Sequence, residues 1–110
     1  MSKFTKARNA LTTRILEGAG KAPLAQRRAA FENAGLAEPL RTLIHKVAHH
    51  AHKIVDADIA AVRQSGLGED EIFELVVCAA IGQASRQYDT AMAALEAVTE
   101  RRGNASRNPR

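Results

Sequence analysis

The chain has no tryptophan, one tyrosine and one cysteine, and only 4% of its residues are aromatic. Large rings therefore do not fill the interior. That task falls to Ala, Leu, Val and Ile within a 45% apolar content, and side chains of such small volume fill a core only when helices approach closely. The single thiol, Cys78, has no partner for an internal disulfide, which agrees with a reducing compartment. No stretch of about 20 uninterrupted apolar residues occurs, so no transmembrane helix is expected. Lys3, Lys6 and Arg8 are not followed by an apolar run, so no signal peptide is expected either, and the reading is cytoplasmic. With 110 residues the chain fits one compact domain with a modest core.

The net charge of +4 hides a segregation of signs. Residues 1–30 hold seven Lys or Arg against Glu17 alone, residues 31–100 hold five bases against eleven acids, and residues 101–110 add four arginines. A nucleic-acid reader gathers its cations on a folded face that can follow phosphates. Here the basic surplus is terminal and the middle is acidic, so nucleic acid is not the expected partner. The basic amino-terminal segment is expected to pack on acidic surface of its own subunit or of a neighbour.

Helical punctuation divides the chain. Ala7, Leu11, Ile15 and Leu16 lie at helical spacing between Phe4 and Glu17, and Gly18 and Gly20 end the segment. Pro23 opens a second helix to Asn33, with Gly35 as its terminator. A third is predicted from Glu38 to Val55, carrying the apolar stripe Leu40, Leu43, Ile44, Val47, Ala48, Ala51 and Ile54. Asp56 is the expected cap of a short helix over Ala57–Gln64. Glu69, Asp70 and Glu71 then start a long helix, with Gly82 as a candidate kink or break. The tail "RRGNASRNPR" has no apolar period and is read as mobile. The expectation is an all-α, single-domain bundle of five or six helices. It comprises a hairpin over residues 1–35, a core over 36–100 and a flexible basic tail over 101–110.

The stretch Asp58 to Leu95, "DIAAVRQSGLGEDEIFELVVCAAIGQASRQYDTAMAAL", joins a short helix ending in Gly, an apolar residue, an E-D-E-I helix start and a long small-residue helix. It resembles the second half of an alkylhydroperoxidase D-like domain, the superfamily that includes carboxymuconolactone decarboxylases, over about a third of the chain. The resemblance implies an all-α fold that assembles into homo-oligomers. It also implies where the chemistry would lie, because the peroxidase branch carries Cys-x-x-Cys-x-x-x-His just upstream of the loop glycine. Counted back from Gly66, those positions hold Ala51, Ile54 and Asp58. Peroxide chemistry needs a low-pKa thiolate, a resolving thiol and an imidazole, and none of these three residues supplies one. The decarboxylase branch also has a His at the Asp58 position. The nearest carboxylate to the upstream relay glutamate is Glu38.

Four histidines, His45, His49, His50 and His52, crowd into one short segment. On a continuous helix His45, His49 and His52 fall within about 60° of one another while His50 points elsewhere. The i, i+4 pair is a spacing that can ligate zinc, nickel or copper. The same face carries Arg41 and is flanked by Lys46 and Lys53, as a solvated or subunit-contacting surface would be. No metal or cofactor is expected, and His45, His49 and His52 are the residues that would hold a metal. Cys78, among Val77, Ala79 and Ala80, reads as a buried small hydrophobe. Asp56 and Asp58 read as helix-start residues, Arg86 and Asp89 as a local pair, and Tyr88 as a ring with its hydroxyl at a water boundary. The functional expectation is a non-catalytic helical homo-oligomer acting by assembly or small-ligand binding. Its alternative is an enzyme whose site uses His45, His49 or Asp58 in place of thiols.

Overall fold

The computed structural model describes residues 2–107. It contains five α-helices: α1 (Ser2–Glu17), α2 (Leu24–Glu32), α3 (Leu40–His49), α4 (Asp56–Gln64) and α5 (Glu69–Arg107). A 3-10 turn, Ala51–Lys53, joins α3 to α4, and no strand occurs among the described residues. The all-α expectation holds. The molecule measures 68 × 29 × 20 Å, its long dimension set by the 39 residues of α5, which span about 58 Å.

The core forms where α1, α2, α3 and α4 lie on the first half of α5. Leu43, Ile44, Val62, Leu75 and Cys78 are its largest fully buried side chains. The α5 face that meets them carries Ile72, Leu75, Ala79 and Gly82. α2 makes the most extensive contact with α5, and the small residues explain how. A Cβ built on Gly82 would fall 2.7 Å from the Phe31 carbonyl carbon and 3.0 Å from the Phe31 Cα, so only the absent side chain lets the two backbones touch. Gly82 is a contact residue rather than a break, because α5 runs through it without interruption.

Several local expectations change. The αL residue that ends α2 is Asn33 (φ 53°), two residues before the expected Gly35. Its N–H bonds the Ala30 carbonyl and the next N–H bonds Ala29, so the orphan carbonyls are satisfied there. α3 stops at His49 instead of reaching Val55. The break at His50 and the extended Ile54 turn the chain into α4, with Ile54 and Ile59 packed against the core that holds Leu43, Ile44 and Val62. Ala51, expected on the apolar stripe, is exposed. Asp56 is the first residue of α4, whereas the cap is made by Asp58, whose carboxylate accepts from the Val55 N–H at 2.9 Å. Gly66 (φ 112°) closes α4 in a conformation that favours glycine. α5 continues helical to Arg107 where a tail was expected from residue 101; residues 108–110 of that tail lie outside the described residues.

Candidate functional site

The segment that the family resemblance marks for chemistry is the junction of α3 and α4. Lys46, in the last turn of α3, places its ammonium 2.9 and 3.0 Å from the two Asp58 carboxylate oxygens, and the Val55 N–H takes one of the same oxygens. The Lys46 hydrogen bond first, and the Val55 N–H second, hold the Asp58 carboxyl below the usual carboxylate range. A group held ionised in this way is an anchor for the α3–α4 turn, and its two oxygens are already engaged. Glu38 is engaged likewise. Its carboxylate accepts from the Thr42 hydroxyl at 2.7 Å, the Thr42 N–H at 3.0 Å and Arg41, and the Thr42 hydroxyl is the leading cause of its lowered pKa. It serves the first turn of α3.

The histidines gather differently from the helical projection. Because α3 ends at His49, His50 leaves the helix with φ −145° and brings its ring back to the others. Ring centroids lie 4.9 Å apart for His45 and His49, 5.9 Å for His45 and His50, and 6.3 Å for His50 and His52. His50, set apart by the projection, is thus the middle of the group. Loss of hydration, then the Lys53 charge and the neighbouring imidazoles, lower its pKa and favour the neutral ring. Among the described residues no three or more His, Cys, Asp or Glu converge as a metal site would require. Of the four, His45 and His50 line a shallow recess of about 410 Å³ with Asn33, Arg41, Lys46 and Lys53, a cationic rim whose carboxylate is Glu38.

Cys78 is 1% exposed, and burial pushes its thiol pKa up, away from the thiolate. Its Sγ lies 3.7 Å from the Ile15 carbonyl oxygen. Beside it an open groove of about 510 Å³ runs between α1 and α5, lined by Leu11, Arg14, Ile15, Phe73 and Val77. Arg86 and Asp89, read as a pair, part company: Arg86 donates to the Phe31 carbonyl at 2.7 Å and to Gln83, while Asp89 takes Arg8 of α1. The Arg8 guanidinium also lies 5.2 Å from the centre of the Tyr88 ring. The Tyr88 hydroxyl, expected at a water boundary, is covered and unpartnered among the described residues.

One network escaped the sequence reading. Arg27 is 4% exposed; its Nε donates to the Ala22 carbonyl at 2.8 Å and its Nη1 to the Gly18 carbonyl at 2.6 Å. Glu74 of α5 faces it at 3.9 Å and accepts from the Lys21 and Ala22 N–H groups at 2.8–2.9 Å. A Cβ on Gly20 would meet Arg27 Nη2 at 2.6 Å and Glu74 Oε1 at 2.8 Å, so a larger residue there displaces the ends of these two side chains. The available signal was that Arg27 shares an α2 face with Ala30 and Phe31, three and four residues on.

Comparison of the chain with protein-family models, with curated proteins and with solved structures finds no match.

Proposed function

We propose that the protein is a non-catalytic helical assembly module, of alkylhydroperoxidase D-like build, that works by association with copies of itself and has no thiol peroxidase chemistry. The observation that carries this reading is an apolar face on α1 and α5 without a partner in the monomer. Phe4, Leu11, Phe73, Leu95 and Val98 are 66%, 44%, 69%, 56% and 42% exposed, and all five lie on these two helices. Large exposed apolar side chains concentrated on two packed helices support an association site there. The case against catalysis is supported by the state of three polar candidates: Asp58 and Glu38 are occupied by local partners, and Cys78 is buried with a raised pKa.

Two outcomes test the reading. Light scattering at micromolar concentration is expected to report an oligomer, and Ala84→Glu, which puts a charge into an exposed small-residue position of α5, is expected to shift it toward monomer while circular dichroism keeps its helical content. A well-folded wild-type monomer ends the proposal. Turnover of an organic hydroperoxide is expected at the level of buffer for wild type and for Cys78→Ala alike; turnover that disappears with Cys78→Ala shows that the buried thiol reacts and that the non-catalytic half is wrong.

A further inference from the structure

We infer that two copies pair through an antiparallel seam along α5, with Phe73 of one copy seated against Val98 of the other. The inference rests on the assembly reading and specifies its geometry. From Phe73 to Val98, the side of α5 turned away from Leu75 and Gly82 presents a residue at alternating steps of four and three, the spacing of a coiled-coil seam. Every one of these positions is exposed except Val77, which is half-buried. The order of steps reads the same in both directions, so a reversed copy of the helix matches every position of the first.

In that register Phe73 faces the partner's Val98, Val77 faces the partner's Ala94, Ala80 faces the partner's Ala91 and Ala84 faces the partner's Gln87. Bulk meets bulk at both ends, and the alanines between them let the axes come close, toward the low end of the usual 8–10 Å. The next step outward on each side reaches Asp70 and Arg101, so each end of the seam closes on an opposite-charge pair. Asp70 already lies 3.3 Å from Lys21, yet both side chains remain 71% exposed, which leaves Asp70 available. A parallel pairing puts Asp70 beside Asp70 and Arg101 beside Arg101, and aligns the two helix dipoles unfavourably. Charge therefore selects the antiparallel arrangement and a second copy as its occupant.

Two further features agree. Leu11 of α1, 44% exposed, shares the α1–α5 groove with Phe73 and Val77, so apolar surface of α1 adjoins the first part of the seam. Beyond Met92, residues 93–102 are all exposed and extend past the bundle. A helical segment this short is marginal by itself in water. The antiparallel register lays each projecting segment along the first turns of the other copy's α5, which covers it.

The test uses single-cysteine substitutions in the full chain, Ala80→Cys and Ala91→Cys, oxidised with copper–phenanthroline; wild type, whose Cys78 is buried, serves as the background lane. Residues 80 and 91 are about 16 Å apart along one helix, beyond the reach of a disulfide. Each variant alone is expected to stay at the background level, and an equimolar mixture of the two is expected to give a cross-linked dimer. Cross-linking of either variant alone establishes a parallel seam and overturns the inference. A mixture that does not cross-link, from chains that light scattering reports as oligomers, overturns this seam and leaves the assembly reading standing. Monomers end both. Charge exchange gives a second reading that does not depend on cysteine: Asp70→Arg is expected to weaken association by about tenfold, from two pairs reversed, and Asp70→Arg with Arg101→Asp is expected to recover it. Failure of that recovery removes the register.

Discussion

Replacing Glu74 by Ala is expected to lower the stability of the fold by about 3 kcal/mol, a drop in Tm on the order of 10 °C. The carboxylate closes the α1–α2 loop on α5 by accepting the Lys21 and Ala22 N–H groups, and it is the acid that faces Arg27. Hydrogen bonds to a charged group are worth about 1.5–3 kcal/mol each. Removing the acceptor has a second consequence, since Arg27 stays buried with a full charge and keeps only the Ala22 and Gly18 carbonyls. An uncompensated buried charge is what makes breaking one side of such a pair more destabilising than the pair is stabilising. Thermal unfolding followed at 222 nm measures the drop. A Glu74→Ala variant within about 0.5 kcal/mol of wild type would show that water replaces the carboxylate without loss.

Glu74 also fixes the sign of a pH dependence. The Ala22 N–H first and the Lys21 N–H second hold its pKa below the ordinary carboxylate value of 4.5, so the folded state favours the ionised form. The stabilisation is fully present above the unfolded pKa and disappears as pH falls through the lower folded value. Glu74→Gln removes the titration but keeps one oxygen acceptor. The stability gap between wild type and Glu74→Gln is therefore expected to be widest near neutral pH and to narrow as pH falls below the ordinary carboxylate range. A gap independent of pH would assign the effect to side-chain shape instead of charge.

How much of this was legible before the coordinates depends on the range of the interaction. Helix starts were readable because their chemistry is local: the acidic residues Glu69, Asp70 and Glu71 stand in the first turn of α5, as expected. The break after His49 was not readable, since helical spacing continues through Ala51 and Ile54. What stops α3 is the packing of Ile54 and Ile59 on a core assembled from other helices, together with the clasp of Lys46 on Asp58. The same limit explains the histidine group, which the break rearranges around His50. It also explains Asp89, whose partner Arg8 lies 81 residues away. Glu74 carries no signal of its role in the sequence, because nothing near it states that the loop at Lys21 and Ala22 will arrive there.

Gly82 combines both kinds of information, and substituting it sets local propensity against tertiary contact. Helix propensity alone favours Gly82→Ala by about 1 kcal/mol, because alanine loses less backbone freedom. The contact opposes this more strongly. The new Cβ would crowd the Phe31 backbone, with the carbonyl carbon at 2.7 Å, and a backbone has no rotamer by which to move aside. Overpacking of this kind costs typically 1–3 kcal/mol, and relief by shifting α2 outward also lengthens the 2.7 Å bond from Arg86 to the Phe31 carbonyl. The net expectation is a loss of about 2 kcal/mol in Gly82→Ala, read as a lower denaturation midpoint. Gly103 supplies the comparison within the same helix, for a Cβ there meets nothing within 4 Å. Gly103→Ala is expected to be neutral or stabilising, by at most about 1 kcal/mol. If both substitutions stabilise the protein, α2 does not lie on α5 at Gly82, and the close approach that organises the bundle is wrong. Opposite signs from one chemical change in one helix separate the contact from the propensity.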